Sequence, residues 1–173
     1  MLARCTKKES KIYYVDHATT SELRKKYANE KVPIDEIVTV DYALHNKTLA
    51  EVTKGKKFYY IIASHVIEHV PDTIRWLQDI LDILNENGKL SLVIPDKRYT
   101  FDINRNVSRT ADVIGSYIDK LLKPNSSMMF DFAKEYIKDV DSRKIWQGEI
   151  INFTKINHRY NLSESLEMTK MNM

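Results

Sequence analysis

Phe58-Tyr-Tyr-Ile-Ile-Ala-Ser-His65 is followed by Val66-Ile-Glu68-His69-Val-Pro-Asp72, an amphipathic run to Asn87-Gly88, and Lys89-Leu-Ser-Leu-Val-Ile-Pro-Asp96. This stretch reads as strand, polar turn, helix, glycine stop, strand and polar turn. Phe58 to Ala63 is a continuous apolar run, which predicts a strand covered on both faces and hence a parallel sheet. Ile74, Leu77, Ile80, Leu81 and Leu84 fall at helical spacing. Asp72 can cap that helix, and Gly88 stands where a left-handed residue would end it. Leu90 to Ile94 predicts the second buried strand. A strand–helix–strand unit of this kind forces a crossover over the sheet face. Chemistry then sits outside the carboxyl ends of the strands, at Ser64-His65 and Asp96-Lys97-Arg98.

The 173 residues suit one domain, or one domain with a small appendage. The formal charge of +3, with 24 acidic residues among 27 basic ones, gives no argument for nucleic acid as partner. A single cysteine, Cys5, excludes an internal disulfide and a zinc ribbon. The first ten residues hold no apolar core of signal-peptide length, and no run approaches the roughly 18 apolar residues of a membrane span. The expectation is a soluble, cytoplasmic protein with no membrane partner.

Before this unit, Lys11 to Asp16 predicts a short strand ending in an acid, and Ile37 to Asp41 a second. Between them, Thr19 or Thr20 can cap a helix over Ser21 to Ala28, and Pro33 marks a turn. Thr48 to Lys54 suits a short helix stopped by Gly55. The β-α-β-α-β-α-β order predicts an α/β layered fold. After Asp96 the pattern changes. Arg98 to Arg109 reads as a long loop or lid, and helices are expected from Thr110, from Ser126 or Ser127, and from Asn161 or Ser163. Trp146 and Phe153 would anchor the irregular residues 141–160. The expected division is an incomplete α/β core over 1–96 and a loop and helical extension of the same domain over 97–173.

Three constellations carry chemistry. Asp16, Asp41, Ser64-His65 and Asp96 close successive strands. A carboxylate there can accept both hydroxyls of a ribose, or it can serve as an ordinary turn residue. His65-Val-Ile-Glu68-His69 matches a zinc-protease pattern, but Pro71 interrupts the helix that pattern needs. A histidine acting as general base, or a polar turn, suits the context better. Pro95 to Asp102 crowds basic, acidic and aromatic residues at a strand end, suited to an acidic or sugar-like acceptor or to a solvated loop.

Four blocks, Tyr14–His17, Val40–Tyr42, Ala63–Asp72 and Ile94–Asp102, resemble the class I, Rossmann-like S-adenosylmethionine-dependent methyltransferases. The resemblance implies a partial doubly wound, mainly parallel sheet with a helical C-terminal part. It implies methyl transfer from S-adenosylmethionine to a small-molecule or glycan acceptor. Asp16 would bind the cofactor ribose, Asp41 and Tyr42 would lie beside the adenine, and Ala63, Ser64 and His65 would sit by the methionine portion. Glu68 and His69 would line the acceptor side, and His65 or His69 would act as base. The family's first strand and glycine loop should precede Lys11, yet the chain has no glycine before Gly55. Its closing strand pair is also not in evidence before Met173. The expectation is therefore a core cut at both ends, self-associating or complemented by another chain. The alternatives are a non-catalytic remnant or interaction module and, further off, a zinc hydrolase through His65, Glu68 and His69.

In the resembled fold the absent strand is central. Removing it leaves backbone groups unpaired at roughly 1–3 kcal/mol each, against about 5–15 kcal/mol for a whole domain. The Phe58–Ile94 unit is therefore expected to be well ordered and Lys11–Asp41 loosely attached in the isolated chain. Hydrogen exchange should show stronger protection at Tyr60–Ile62 than at Ile12–Val15; equal strong protection in a proven monomer would contradict this.

Overall fold

The computed structural model describes residues 11–29, 33–149 and 157–171. The predicted anchor Phe153 and the first ten residues lie outside the described residues. The elements are β1 (Val15–Asp16), α1 (Thr20–Lys26), β2 (Tyr42–Ala43), α2 (Leu49–Thr53), β3 (Phe58–Ser64), α3 (Thr73–Ile83), β4 (Leu84–Val93), α4 (Thr110–Ile118), α5 (Ser126–Glu135), α6 (Ser142–Trp146) and α7 (Leu162–Met171). The fold is α/β, partial and Rossmann-like, with a helical C-terminal part. Its described strands form two separate pairs, β1 with β2 and β3 with β4. The described residues divide into two compact units. One gathers those up to Phe58 with Asp79–Glu86; the other gathers Tyr59–Gln78 with those from Asn87 onward.

In the first unit β1 and β2 run parallel, with Val15 opposite Tyr42 and Asp16 opposite Ala43. The strands are shorter than the sequence predicts, and Ile37 to Asp41 lies before β2 rather than forming it. Asp41 therefore stands at the amino end of its strand. α1 forms because Thr19 and Glu22 make a reciprocal capping box. Thr48 and Glu51 do the same for α2. The Asp79 carboxylate accepts the Leu49 N–H at 2.7 Å, satisfying a donor that the start of α2 leaves over. Leu23, Leu49, Ile80 and Ile83 make the buried core.

Three features of the central unit differ from expectation. The helix stops at Ile83 and β4 begins at once, so the buried pair is Ile80 and Ile83, while Leu81 is exposed. The left-handed residue is Asn87, at φ 62°, and not Gly88. Asparagine tolerates this conformation, and the Asn85-Glu-Asn87 run is a weak helix former. The two-sided burial predicted for Phe58–Ala63 is not found. Tyr59, Tyr60 and Ile62 are 69%, 68% and 62% exposed, and Val93 and Ile94 are also exposed. A strand is buried on both faces only where a second layer covers each face. Among the described residues of β3, full burial reaches only Ala63.

In the second unit Asp72 caps α3, accepting the Arg75 N–H at 3.0 Å and its Nε at 3.1 Å. α5 and α7 pack together with Ala133 and Ser165 wholly buried. Such small side chains let two helices approach closely. Asn125 and Asn161 accept N–H groups at their first turns, at 2.9 Å each. Residues Ser142–Trp146, read as irregular, form a short helix capped by Asp141. An antiparallel bridge joins Ile137 to His158. A single bridge leaves no periodicity to read in the sequence. Among the described residues no helix is long and apolar enough to cross a membrane.

Ile80, 2% exposed, should carry much of the first unit's packing. Ile80→Ala is expected to lower stability by about 2–5 kcal/mol in urea denaturation; a loss well under 1 kcal/mol would show that this core is not what holds the unit. The Glu22 carboxyl is held down to about 2, from 4.5, by hydrogen bonds from the Thr19 side chain and backbone and from His45. A depressed carboxyl gives stability present above its unfolded pKa and lost as pH falls toward its folded one. Glu22→Gln should therefore reduce the fall in stability between pH 4.5 and 2. Asp112, also held near 2 by Arg109, supplies a slope that remains. Identical curves for variant and parent would contradict the Glu22 assignment.

Candidate active site

The second unit holds a cleft of about 780 Å³ at the carboxyl ends of β3 and β4. His65 follows Ser64 directly and takes the left-handed conformation, φ 54°. For a residue with a Cβ this costs about 1–2 kcal/mol. The His65 N–H donates to the Val93 carbonyl at 2.9 Å, which holds the strained residue at the sheet end. A 3₁₀ turn over Ile67–His69 then folds Glu68 back. Its Oε1 lies 3.4 Å from His65 Nδ1 and 4.0 Å from His69 Nε2. The imidazoles are 61% and 74% exposed, whereas the carboxylate is only 24% exposed. The result is a sheltered carboxylate beside two open imidazoles. It is not the α-helical face that places two histidines on zinc. Among the described residues no group of three or more His, Cys, Asp or Glu side chains is gathered as a metal ion requires.

The opposite wall comes from the loop after β4. Arg98 grips Asp96 with Nε at 3.0 Å and Nη2 at 2.6 Å, while the Arg98 N–H donates to the same carboxylate. This pairing lowers the Asp96 carboxyl below its usual range. Asp96 thus caps the turn Lys97–Tyr99. Lys97 Nζ donates to the carbonyls of Ile103 and Arg105 and curls the loop on itself. Arg105 pairs with Asp102 at 3.1 Å and with Asp131 of α5 at 2.9 Å. Phe101 stacks on Tyr136 with centroids 4.4 Å apart, and Tyr99 meets Trp146 at 5.3 Å. The segment read as a lid is therefore tied to α5 and α6.

His65, Glu68 and His69 line this cleft together with Tyr99, Asp102, Tyr136, Lys138 and Arg159. The last three come from chain regions that no motif marked. Their approach follows from the Ile137–His158 bridge, and the basic-aromatic run His158-Arg-Tyr160 is the one local sign. Ala63 is buried at the end of β3, and Ser64 is exposed. Asp16, Asp41 and Tyr42 are neighbours in the first unit. Asp16 Oδ1 accepts the His17 N–H at 2.6 Å and faces His17 Nδ1 at 2.5 Å, with the side chain 40% exposed. Asp41 Oδ2 accepts the Tyr14 N–H at 2.8 Å and stitches the two strands. Tyr42 packs on Tyr13, centroids 5.7 Å apart. Lys56 lies 3.7 Å over the Tyr13 ring, and its hydrogen bond lowers the Tyr13 hydroxyl pKa.

A family model described as a methyltransferase domain matches residues 4–162. The family generally uses S-adenosylmethionine. No curated protein and no solved structure matches the chain. The family match runs through both compact units and up to the first residue of α7, and the chain belongs to this methyltransferase domain family.

Proposed function

We propose that the protein transfers a methyl group from S-adenosylmethionine to a hydroxyl of a small-molecule or glycan acceptor, with His65 as general base. The observation that carries this reading is the His65–Glu68 pair at the mouth of the cleft. A base must be open to its substrate and held in a fixed orientation. His65 is open, and Glu68 Oε1, 3.4 Å from its Nδ1, orients the ring. With Nδ1 turned to Glu68, Nε2 is the atom that accepts the proton. Glu68 is then a positioning residue, and His69 is the alternative base.

The donor set fits the cofactor's chemistry. A nucleoside ribose asks for a carboxylate open to solvent at a strand end, and Asp16 at the end of β1 offers one. Asp41 is engaged by Tyr14, so its part beside the adenine is secondary. Tyr42 would flank the adenine, and Ala63 with Ser64 would border the methionine portion. The bound cofactor supplies an electrophilic methyl on a sulfonium. The chain's share is to hold the acceptor at attack distance and to take its proton. A cytoplasmic setting goes with this reading.

A second reading, a non-catalytic module that self-associates, is favoured by one observation, the bare apolar side chains of Tyr59, Tyr60 and Ile62 on β3. Sedimentation and titration calorimetry on the full chain separate the two. The enzymatic reading expects saturable binding of S-adenosylmethionine and S-adenosylhomocysteine, weakened by Asp16→Ala. It expects labelled methyl transfer that falls about 10²–10⁴-fold in His65→Ala, with cofactor binding unchanged. A dimer that binds neither compound at millimolar concentration would overturn it in favour of the module.

A further inference from the structure

We propose that Arg159 is the specificity residue for the acceptor and that the acceptor is an acidic sugar, its carboxylate or phosphate seated on the Arg159 guanidinium. The inference rests on the cleft being the acceptor side of the methyltransferase.

Most cations near this cleft are already spent. Arg98 holds Asp96, and Arg105 holds Asp102 and Asp131. Arg75 and Arg109 hold Asp72 and Asp112 elsewhere in the chain. Arg159 differs. It makes no ion pair among the described residues, and its guanidinium lies 4.9 Å from the Tyr136 ring centre and 5.4 Å from that of Tyr160. Its backbone is fixed as well, because the Arg159 N–H donates to the Tyr136 carbonyl at 2.9 Å beside the Ile137–His158 bridge. One guanidinium N–H is engaged by the Tyr136 side chain, and the others remain for a planar or tetrahedral anion. Ring contact restrains the side chain before the anion arrives, so less freedom is lost on binding.

The surroundings name the rest of the ligand. Lys138 lies on the same cleft and has no ion pair among the described residues, so it adds a second positive charge. The countercharges are Asp102, which Arg105 neutralises, Glu68, which His65 approaches, and Asp139. Asp139 makes no ion pair among the described residues and can accept hydroxyls. Tyr99 supplies aromatic surface on which the apolar face of a sugar ring can lie. Anion seat, hydroxyl acceptor and aromatic floor together describe a sugar ring with one negative substituent. A neutral sugar would leave the Arg159 charge unanswered, and a purely aromatic acid would leave Asp139 without a donor.

The test is titration calorimetry of the full chain with glucuronate, glucose 6-phosphate and glucose, each with and without S-adenosylhomocysteine. The expected result is binding of at least one of the two acids about tenfold or more tighter than glucose, weakened by added salt. The two acids tell carboxylate from phosphate. Arg159→Met should abolish the preference, and Arg159→Lys should keep part of it, while affinity for S-adenosylhomocysteine stays unchanged in both. Equal binding of the three sugars, no binding of any, or a preference that survives Arg159→Met would overturn the proposal. If the acids are preferred but S-adenosylhomocysteine never binds, the methyl-transfer reading fails and the acidic-sugar site stands. If it binds and no preference is seen, the opposite holds.

Discussion

The hydrogen bond from the His65 N–H to the Val93 carbonyl, at 2.9 Å, is the constraint on which the second unit depends. It ties the residue after β3 to the last residue of β4. Because both strands end there, the His65–Glu68 turn and the Asp96–Tyr99 turn open from one edge. Without that tie, the left-handed backbone of His65 would relax toward an ordinary conformation. The imidazole would then leave the carboxylate it faces at 3.4 Å. Strain at a site residue persists only where its surroundings over-determine it, and a strand end supplies that. The first unit has its own counterpart in the Asp41 carboxylate, which grips the Tyr14 N–H and fixes the β1–β2 register.

Much of this was legible in the sequence because it is local. Capping residues are read within one turn, and Thr19, Thr48, Asp72 and Asn161 stand where the sequence puts helix starts, while α5 is capped by Asn125, one residue before the expected Ser126 or Ser127. The strand Phe58–Ser64 follows from its apolar and β-branched run. The polar ends that bear His65, Glu68 and Asp96 follow from its boundaries. What the sequence could not give is non-local. Burial of Tyr59 or Ile62 depends on a layer packed over the strand, and no window of β3 encodes that layer. Tyr136, Lys138 and Arg159 reach the cleft through one bridge between residues 21 positions apart in the chain. Asn87 was missed for a subtler reason, since both members of an Asn-Gly pair tolerate a positive φ.

The charged side chains divide by reach. Asp72–Arg75, Asp96–Arg98, Asp102–Arg105 and Arg109–Asp112 pair within three positions along the chain. Asp72 is buried, but the exposed pairs Asp96–Arg98 and Arg109–Asp112 contribute little to stability. Their effect is to fix loop shape, because each closes a turn whose backbone would otherwise sample many conformations. Arg105 extends the scheme by also reaching Asp131, so the loop after β4 is both shaped and anchored.

Such an arrangement suits an acceptor site. Stability comes from compact apolar contacts, Ile80 with Ile83 in one unit and Ala133 against the α7 packing in the other. The loops are held by ion pairs that solvent and salt can weaken. Side chains on the cleft can therefore change with little effect on the fold, while the strand ends hold His65 and Asp96. In the proposed reaction acceptor choice would reside in the cleft wall, at Tyr136, Lys138 and Arg159. The proton would pass to His65, whose backbone is tied to Val93 at the end of β3.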